Sequence, residues 1–170
     1  TGGLGVNAFT VSSWTGTANL AGLAGDDSYA VTLTGGGAGT VTVADTAGTD
    51  TLTVNGTGVA NAFTLTDTAV TLGTEVVNSV VAEIETLTVD GKAGDDTYTV
   101  TGVTRTATLT DAAGTDKVIA VDNVATIALT DTSLTRAGLG TITLSGIEQA
   151  DLTGGLGVNA FTVSSWTGTA

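Results

Sequence analysis

The sequence predicts an all-β protein, specifically a parallel β-solenoid of the β-roll or β-helix kind, from three observations. Short segments alternate Thr with Val, Leu or Ala, which favours strands, and Gly and Asp between them favour turns. Residues 1–18 return without a change as residues 153–170, as expected for a tandem repeat. Gly-containing turns recur about every 20 to 23 residues, a spacing that fits one coil of two short strands.

Ten segments show the period-two alternation of half-buried strands. They are residues 8–11, 29–33, 40–43, 51–54, 62–65, 86–89, 98–100, 106–109, 118–121 and 141–144. One segment fits a helical stripe instead, formed by Val76, Val77, Val80, Val81 and Ile84. Its β-branched side chains disfavour a helix, so a short helix is only the alternative there.

The exact repeat divides the chain into one full tandem repeat, residues 1–152, and the start of the next, residues 153–170. The duplicated residues contain a Gly-rich corner, one strand and the lead into the next strand, which is most of one coil. We therefore expect no domain boundary at position 153 and one continuous rod instead of separate beads.

The repeat also has sub-repeats. Residues 65–71 return about 64 residues later as residues 129–135. The sub-repeats span about residues 65–128 and 129–152, with the second continuing into residues 1–64. Their lengths differ by about 24 residues, which a solenoid absorbs as one extra coil because each coil contacts only its neighbours. We expect about seven coils per repeat, and an antiparallel β-sandwich repeat is the alternative.

The composition excludes several functions. The chain carries 17 acidic residues against four basic ones, with a formal net charge of −13. Such a surface repels nucleic acid and anionic membranes and attracts divalent cations. No apolar run approaches the roughly 20 residues of a membrane span, so membrane insertion is not expected. With no His and no convergent set of basic groups, the chain is not expected to be an enzyme.

Two turns carry the sharpest motif. Residues 22–30 read G-L-A-G-D-D-S-Y-A and residues 91–99 read G-K-A-G-D-D-T-Y-T. Both resemble the calcium-binding nonapeptide of RTX proteins, G-G-x-G-x-D-x-U-x, in which U is a large apolar residue. Residues 2–10 fit the same frame with Asn7 at the Asp position. The resemblance implies Ca²⁺ bound between turns that are stacked one coil apart.

Carried over to this chain, the resemblance implies that Asp27 and Asp96 are side-chain ligands. Asp50 and Asp116 lie 23 and 20 residues further on, and would close each site from the neighbouring coil. The implied carbonyl donors are Gly22, Gly25, Gly91 and Gly94. Because the turns are isolated instead of tandem, we expect a few separate sites. The alternative is a metal-free corner in which each Asp accepts hydrogen bonds from the amides of its own turn.

These observations predict a structural repeat of an extracellular, calcium-stabilised filament, stalk or surface layer, whose partners are copies of itself. We expect an extracellular or cell-surface location reached by bacterial-type secretion, where long proteins often use metal in place of disulfides. A spacer or binding module of a giant RTX-like adhesin is the alternative. Ice binding by the Thr-x-Thr ranks is disfavoured, because coils of unequal length do not present an evenly spaced array.

Overall fold

The structure, a computed structural model, describes residues 1–79 and 82–170 and confirms the all-β prediction. The described residues contain no helix that is long and apolar enough to cross a membrane. The strands are β1 (Ala8–Ser12), β2 (Thr17–Ala21), β3 (Ser28–Thr32), β4 (Thr40–Ala44), β5 (Thr51–Asn55), β6 (Ala62–Leu65), β7 (Ala69–Leu72), β8 (Glu75–Ser79), β9 (Thr86–Asp90), β10 (Thr97–Val100), β11 (Ala107–Thr110), β12 (Lys117–Val121), β13 (Thr126–Thr130), β14 (Ser133–Arg136), β15 (Ile142–Ser145), β16 (Gln149–Thr153) and β17 (Ala160–Val163).

All ten segments with period-two alternation coincide with strands to within one residue, because their apolar face is the one that the core covers. The helical alternative is wrong for Val76 and Val77, which lie in β8 with Val77 fully buried. Val80 and Val81 lie outside the described residues. Several further strands were not among these ten segments, for example β2, whose residues T-A-N-L-A alternate but include only one large apolar side chain.

The strands form two sheets. One has nine strands in the order β1-β3-β5-β9-β11-β15-β14-β13-β17, and the other has eight in the order β16-β12-β10-β6-β7-β8-β4-β2. Most neighbouring strands pair in parallel, in a register that places apolar residues on apolar residues. Examples are Phe9 on Tyr29, Tyr29 on Leu52 and Leu52 on Leu87. Consecutive strands along the chain alternate between the two sheets over much of its length, so each sheet grows by one strand at a time.

Two antiparallel meanders interrupt this pattern. Strands β6, β7 and β8 are neighbours in the eight-stranded sheet, and β13, β14 and β15 are neighbours in the nine-stranded sheet. Their first turns, residues 66–68 and 131–132, belong to the heptapeptide that the sequence repeats about 64 residues apart. That repeat therefore encodes a hairpin. The sheets are mixed with parallel pairs dominant, instead of wholly parallel as expected.

The core lies between the two sheets and is filled by the inward-facing residues of nearly every strand. Two aromatic pairs stack in equivalent places, Phe9 on Tyr29 at 5.1 Å and Phe63 on Tyr98 at 5.4 Å between ring centroids. Burial of one such side chain contributes about 1.5–3 kcal/mol. The outward faces carry mainly threonine, whose branched side chain suits an exposed strand.

Stacked corners require glycine at two positions that no other residue fits. Gly48 and Gly114 have φ angles of 149° and 152°, and a Cβ on either would overlap the carbonyl oxygen of a glycine in the preceding layer. We predict that Gly114→Ala lowers the free energy of unfolding by about 1–3 kcal/mol, through backbone strain and this overlap. Urea denaturation measures the change.

Gly58→Ala is the matched control, because a Cβ on Gly58 meets no atom within 4 Å and its φ angle is not in the positive region. Its expected change in stability is within about 0.5 kcal/mol. Equal effects of the two substitutions would show that the corners are not closely stacked.

Candidate metal centres

Two clusters of three aspartates lie at the corners where strands begin and end. In the first triad, Asp27 and Asp50 immediately precede β3 and β5, and Asp45 immediately follows β4. Their carboxylates offer oxygen atoms that all lie within 4.8 Å of one another. All three residues are at least 98 % buried. The first triad therefore joins two neighbouring strands of one sheet to a strand of the other.

The second triad repeats this arrangement with the sheets exchanged. Asp96 and Asp116 precede β10 and β12, and Asp111 follows β11. Again one oxygen from each carboxylate lies within 4.8 Å of the other two. Asp96 and Asp116 are 1 % exposed, and Asp111 lies beside them at the end of its strand. The structure thus brings together each predicted pair, Asp27 with Asp50 and Asp96 with Asp116.

A column of hydrogen bonds aligns the first triad with its neighbouring layers. The amide of Asn7 donates to Asp27 Oδ1 at 2.5 Å, the amide of Asp27 to Asp50 Oδ1 at 2.7 Å, and the amide of Asp50 to Glu85 Oε2 at 2.7 Å. Each of these residues directly precedes a strand of the nine-stranded sheet. Each acidic side chain therefore bonds the layer before its own, so the column fixes the register from β1 to β9.

The second triad has the same column on the eight-stranded sheet. The amide of Asn61 donates to Asp96 Oδ1 at 2.5 Å, that of Asp96 to Asp116 Oδ1 at 2.7 Å, and that of Asp116 to Glu148 Oε2 at 3.0 Å. These four residues precede β6, β10, β12 and β16. The two columns therefore share the order Asn, Asp, Asp, Glu. Each column ends at a Glu that directly follows an Ile in the sequence, Glu85 in the first and Glu148 in the second.

Tyrosine hydroxyls hold the third carboxylate of each triad. Tyr29 Oη donates to Asp45 Oδ2 at 2.5 Å and accepts the amide of Gly22 at 2.7 Å. Tyr98 Oη donates to Asp111 Oδ2 at 2.7 Å and accepts the amide of Gly91 at 2.9 Å. Tyr29 and Tyr98, at the large apolar position of each nonapeptide, therefore have two roles. The ring lies in the core, and the hydroxyl orients a carboxylate.

Gly22 and Gly91 contact the triads through their α-carbons. A Cβ on Gly22 would overlap the carboxylate oxygens of Asp27 and Asp45, and a Cβ on Gly91 would overlap the corresponding pair of the second triad. Glycine is therefore required here because the carboxylates fill the space that any side chain would take.

Gly25 and Gly94 close the turns with φ angles of 116° and 113°. Their carbonyl oxygens face the α-carbons of Gly48 and Gly114 in the next layer. The expectation that Gly22, Gly25, Gly91 and Gly94 donate carbonyl oxygens to an ion stays a prediction.

One carboxylate oxygen in each triad has no partner. Among the described residues, no group donates a hydrogen bond to Asp27 Oδ2 or to Asp96 Oδ2, although both atoms are fully buried. Each belongs to a carboxylate whose other oxygen accepts a backbone amide, and each lies where a Cβ of the corner glycine would be. An isolated buried carboxylate costs several kcal/mol, so each triad requires a cation or a proton.

The electrostatics of the second triad agree with this requirement. Burial, together with the hydrogen bond and the charge of the adjacent Asp111 carboxyl, raises the pKa of Asp96 to about 7. Burial also raises the pKa of Asp116 and that of Asp50 in the first triad, with neighbouring carboxylates adding to the effect. The pKa of Tyr29 and that of Tyr98 are raised by burial and by their carboxylate partners, so both hydroxyls remain donors.

The types of ligand atom in the triads favour some metals over others. All the side-chain donors are carboxylate oxygens, which suit hard cations such as Ca²⁺, and the chain has no His or Cys for a softer metal. Lys92, next to the second corner, bonds Asp90 at 2.6 Å on the surface. Acidic triads of this kind can hold a metal ion.

Asp45 and Asp111 were not predicted as site residues from the sequence. A signal for them exists, since D-T-A-G-T-D at residues 45–50 returns as D-A-A-G-T-D at residues 111–116. Only the second Asp of each hexapeptide was recognised, because the first ends a strand and lies outside the nonapeptide frame. Its role becomes visible only when the opposite sheet brings it to the corner.

Comparisons with protein-family models, with curated proteins and with solved structures found no match for this chain. The assignment of the two triads therefore depends on their geometry and chemistry.

We predict that the metal-free protein loses stability as pH rises. Folded Asp96 keeps its proton up to about pH 7, whereas an unfolded aspartate releases it near pH 4, so the folded state holds more protons between these values. The stabilisation is complete below about pH 4 and is lost as pH rises through 7. A loss of about 1 kcal/mol lowers the Tm by roughly 2–4 °C, measured by calorimetry in EDTA.

Asp96→Asn should flatten this part of the pH profile, because its amide does not titrate. Asp151→Asn is the control and should leave the profile unchanged, since Asp151 is an exposed residue paired with Lys117. A Tm that rises steadily from pH 5 to pH 8 in EDTA would contradict the assignment.

Proposed function

We propose that this chain is a non-catalytic structural module, a β-solenoid that two calcium ions stabilise, and that it serves an extracellular filament, stalk or surface layer. The solenoid assignment is supported by strands that alternate between two sheets and by parallel neighbours that stack in register. In a solenoid, each meander is a local insertion that adds two antiparallel strands to one sheet before the chain returns to the other sheet.

The observation that carries the calcium proposal is the unpartnered, fully buried oxygen in each triad, Asp27 Oδ2 and Asp96 Oδ2. Three carboxylates supply as many as six oxygens, and Ca²⁺ takes six to eight oxygen ligands at about 2.3–2.6 Å. A divalent ion offsets the repulsion within the triad and satisfies the free oxygen. Backbone carbonyls or water complete the shell.

A bound ion would act as a clamp between layers. In the first triad its ligands come from the corners of β3, β4 and β5, which belong to both sheets and to two adjacent layers. The metal therefore opposes both separation of the sheets and slippage along the rod. Because these ligands come together only in the folded chain, the binding free energy adds to folding stability.

The acidic composition supports an extracellular role for this clamp. Extracellular calcium modules work with dissociation constants of about 10⁻⁴–10⁻³ M, and partly occupied sites would couple rigidity to external calcium. The spacer of an RTX-like adhesin is the second candidate, favoured by the resemblance of residues 22–30 and 91–99 to RTX nonapeptides. A filament subunit should join other copies end to end, whereas a spacer should stay monomeric.

We predict that Ca²⁺ at 100 times its dissociation constant stabilises the protein by about 2.7 kcal/mol per site, which raises the Tm by roughly 5–10 °C per site. Calorimetric titration should count two ions. Asp45→Asn and Asp111→Asn should each remove one ion, and the double variant should bind neither, because each substitution neutralises one carboxylate of a triad.

Asp151→Asn, which also removes one negative charge, should still bind two ions, and NaCl of equal ionic strength should not reproduce the Tm increase. The calcium proposal fails if Ca²⁺ gives no more stabilisation than the salt control.

A further inference from the structure

From the strand to the tryptophan, the two copies of the duplicated sequence adopt the same local structure at opposite ends of the sheets. Ser13 and Ser165, which follow β1 and β17, both have a φ angle of 51°, a left-handed conformation that is uncommon for serine. In both copies the tryptophan ring contacts the glycine two residues later, Trp14 with Gly16 and Trp166 with Gly168. The part from the strand to the tryptophan therefore folds in the same way in both places, whereas the preceding corner differs, since Gly157 has a φ angle of 113° and its counterpart Gly5 does not lie in the positive region.

The C-terminal copy is docked on the last layer of the rod. Strand β17 pairs in parallel with β13, and the amides of Ala160 and Ser164 donate to the carbonyls of Ala125 and Leu129 at 2.9 and 3.0 Å. Thr169 continues the docking onto the other sheet, where its amide donates to Glu148 at 2.9 Å. The structure thus displays how this sequence binds the layer formed by β13 and β16.

The N-terminal copy presents the matching groups without such a layer. Strand β1 pairs only with β3 among the described strands, and Asn7 accepts the amide of Ser28 at 2.9 Å. In a parallel ladder this leaves the amides of the even residues, Ala8 to Ser12, on the open edge. Ala8 and Ser12 correspond to Ala160 and Ser164, whose amides bond β13. The edge of β1 is therefore complementary to β13.

The side chains agree with the backbone. Trp166 is partly buried against the core, whereas its counterpart Trp14 is 45 % exposed. Phe9 and Val11 lie under Tyr29 and Val31, whereas Phe161 and Val163 are 47 % and 50 % exposed. Each copy thus buries apolar side chains that the other copy leaves exposed.

We propose that residues 1–18 of one chain bind the layer of β13 and β16 in a second chain, in the place of its residues 153–170. The exchange joins two copies head to tail and continues both sheets across the junction. The occupant is a second copy of this chain, because the same eighteen residues are already seated on that layer. The inference deepens the proposed structural role, but it does not depend on calcium.

Engineered cysteines test the contact in the full chain, which has none of its own. Thr126 is in register with Ala160, so exchange places Thr126 of one chain opposite Ala8 of another. Mixing chains that carry Thr126→Cys and Ala8→Cys should give a disulfide-linked dimer, since register partners in a sheet lie close enough for this bond. Thr132→Cys, on an exposed turn, replaces Thr126→Cys in the control mixture and should give only background.

Weakening the binding of residues 153–170 to their own chain should make their replacement by residues 1–18 of another chain easier to detect. Ala160→Pro with Ser164→Pro removes two amides that bond β13, so the Thr126→Cys chain carrying both should crosslink at least tenfold more. Adding Ser12→Pro to the Ala8→Cys chain should abolish the crosslink, because it removes the amide equivalent to that of Ser164. If the double proline variant does not fold, the chains that carry only Thr126→Cys or only Ala8→Cys are denatured and refolded together at high concentration. The yield of crosslinked dimer then tests strand exchange.

A crosslink between positions 8 and 126 well above the Thr132→Cys control supports exchange. Crosslinking no greater than that control, in folded or co-refolded chains, overturns it. The experiment is run with Ca²⁺ and with EDTA. If no crosslink forms although calcium still stabilises the chain, the strand-exchange proposal alone is refuted. If the crosslink forms but calcium has no effect on stability, the calcium proposal alone is refuted.

Discussion

Hydrogen bonds from a backbone amide to the acidic side chain of the following layer set both the stacking of the strands and the position of the buried carboxylates. They occur at the residue before each strand along two columns, from Asn7 to Glu85 and from Asn61 to Glu148. They set the register in which apolar residues stack, because a slip would break every bond of a column. They also bury the carboxylates, since the acceptor must lie at the corner between layers.

Burial of those carboxylates creates the electrostatic problem that defines the candidate sites. One oxygen accepts an amide, and the other is left facing two further carboxylates in a place without water access. A proton and a divalent cation are the two species that can resolve this repulsion, and they compete for the same oxygens. The tyrosine hydroxyls hold the third carboxylate in place for either occupant. Folding, protonation and metal binding are therefore coupled through the same few atoms.

Much of the fold could be predicted from the sequence because strand alternation is local. Residues 51–54 and 86–89 could be recognised as strands without knowing their neighbours. The pairs Asp27 with Asp50 and Asp96 with Asp116 were predicted from the resemblance to RTX nonapeptides together with the coil length. Asp45 and Asp111 could not be predicted in this way, since they reach the corners from the opposite sheet. The meanders were also missed, because a hairpin between Leu65 and Val70 reverses direction without the usual Asn-Gly turn.

An anomalous difference map from crystals grown with Ca²⁺ would show directly whether the two triads hold calcium. We expect one peak in each triad, with oxygens of Asp27, Asp45 and Asp50 at about 2.3–2.6 Å from the first ion and the equivalent shell around the second. Triads without such peaks, in which carboxyl oxygens approach each other at the 2.5–2.7 Å of a shared proton, would contradict this expectation.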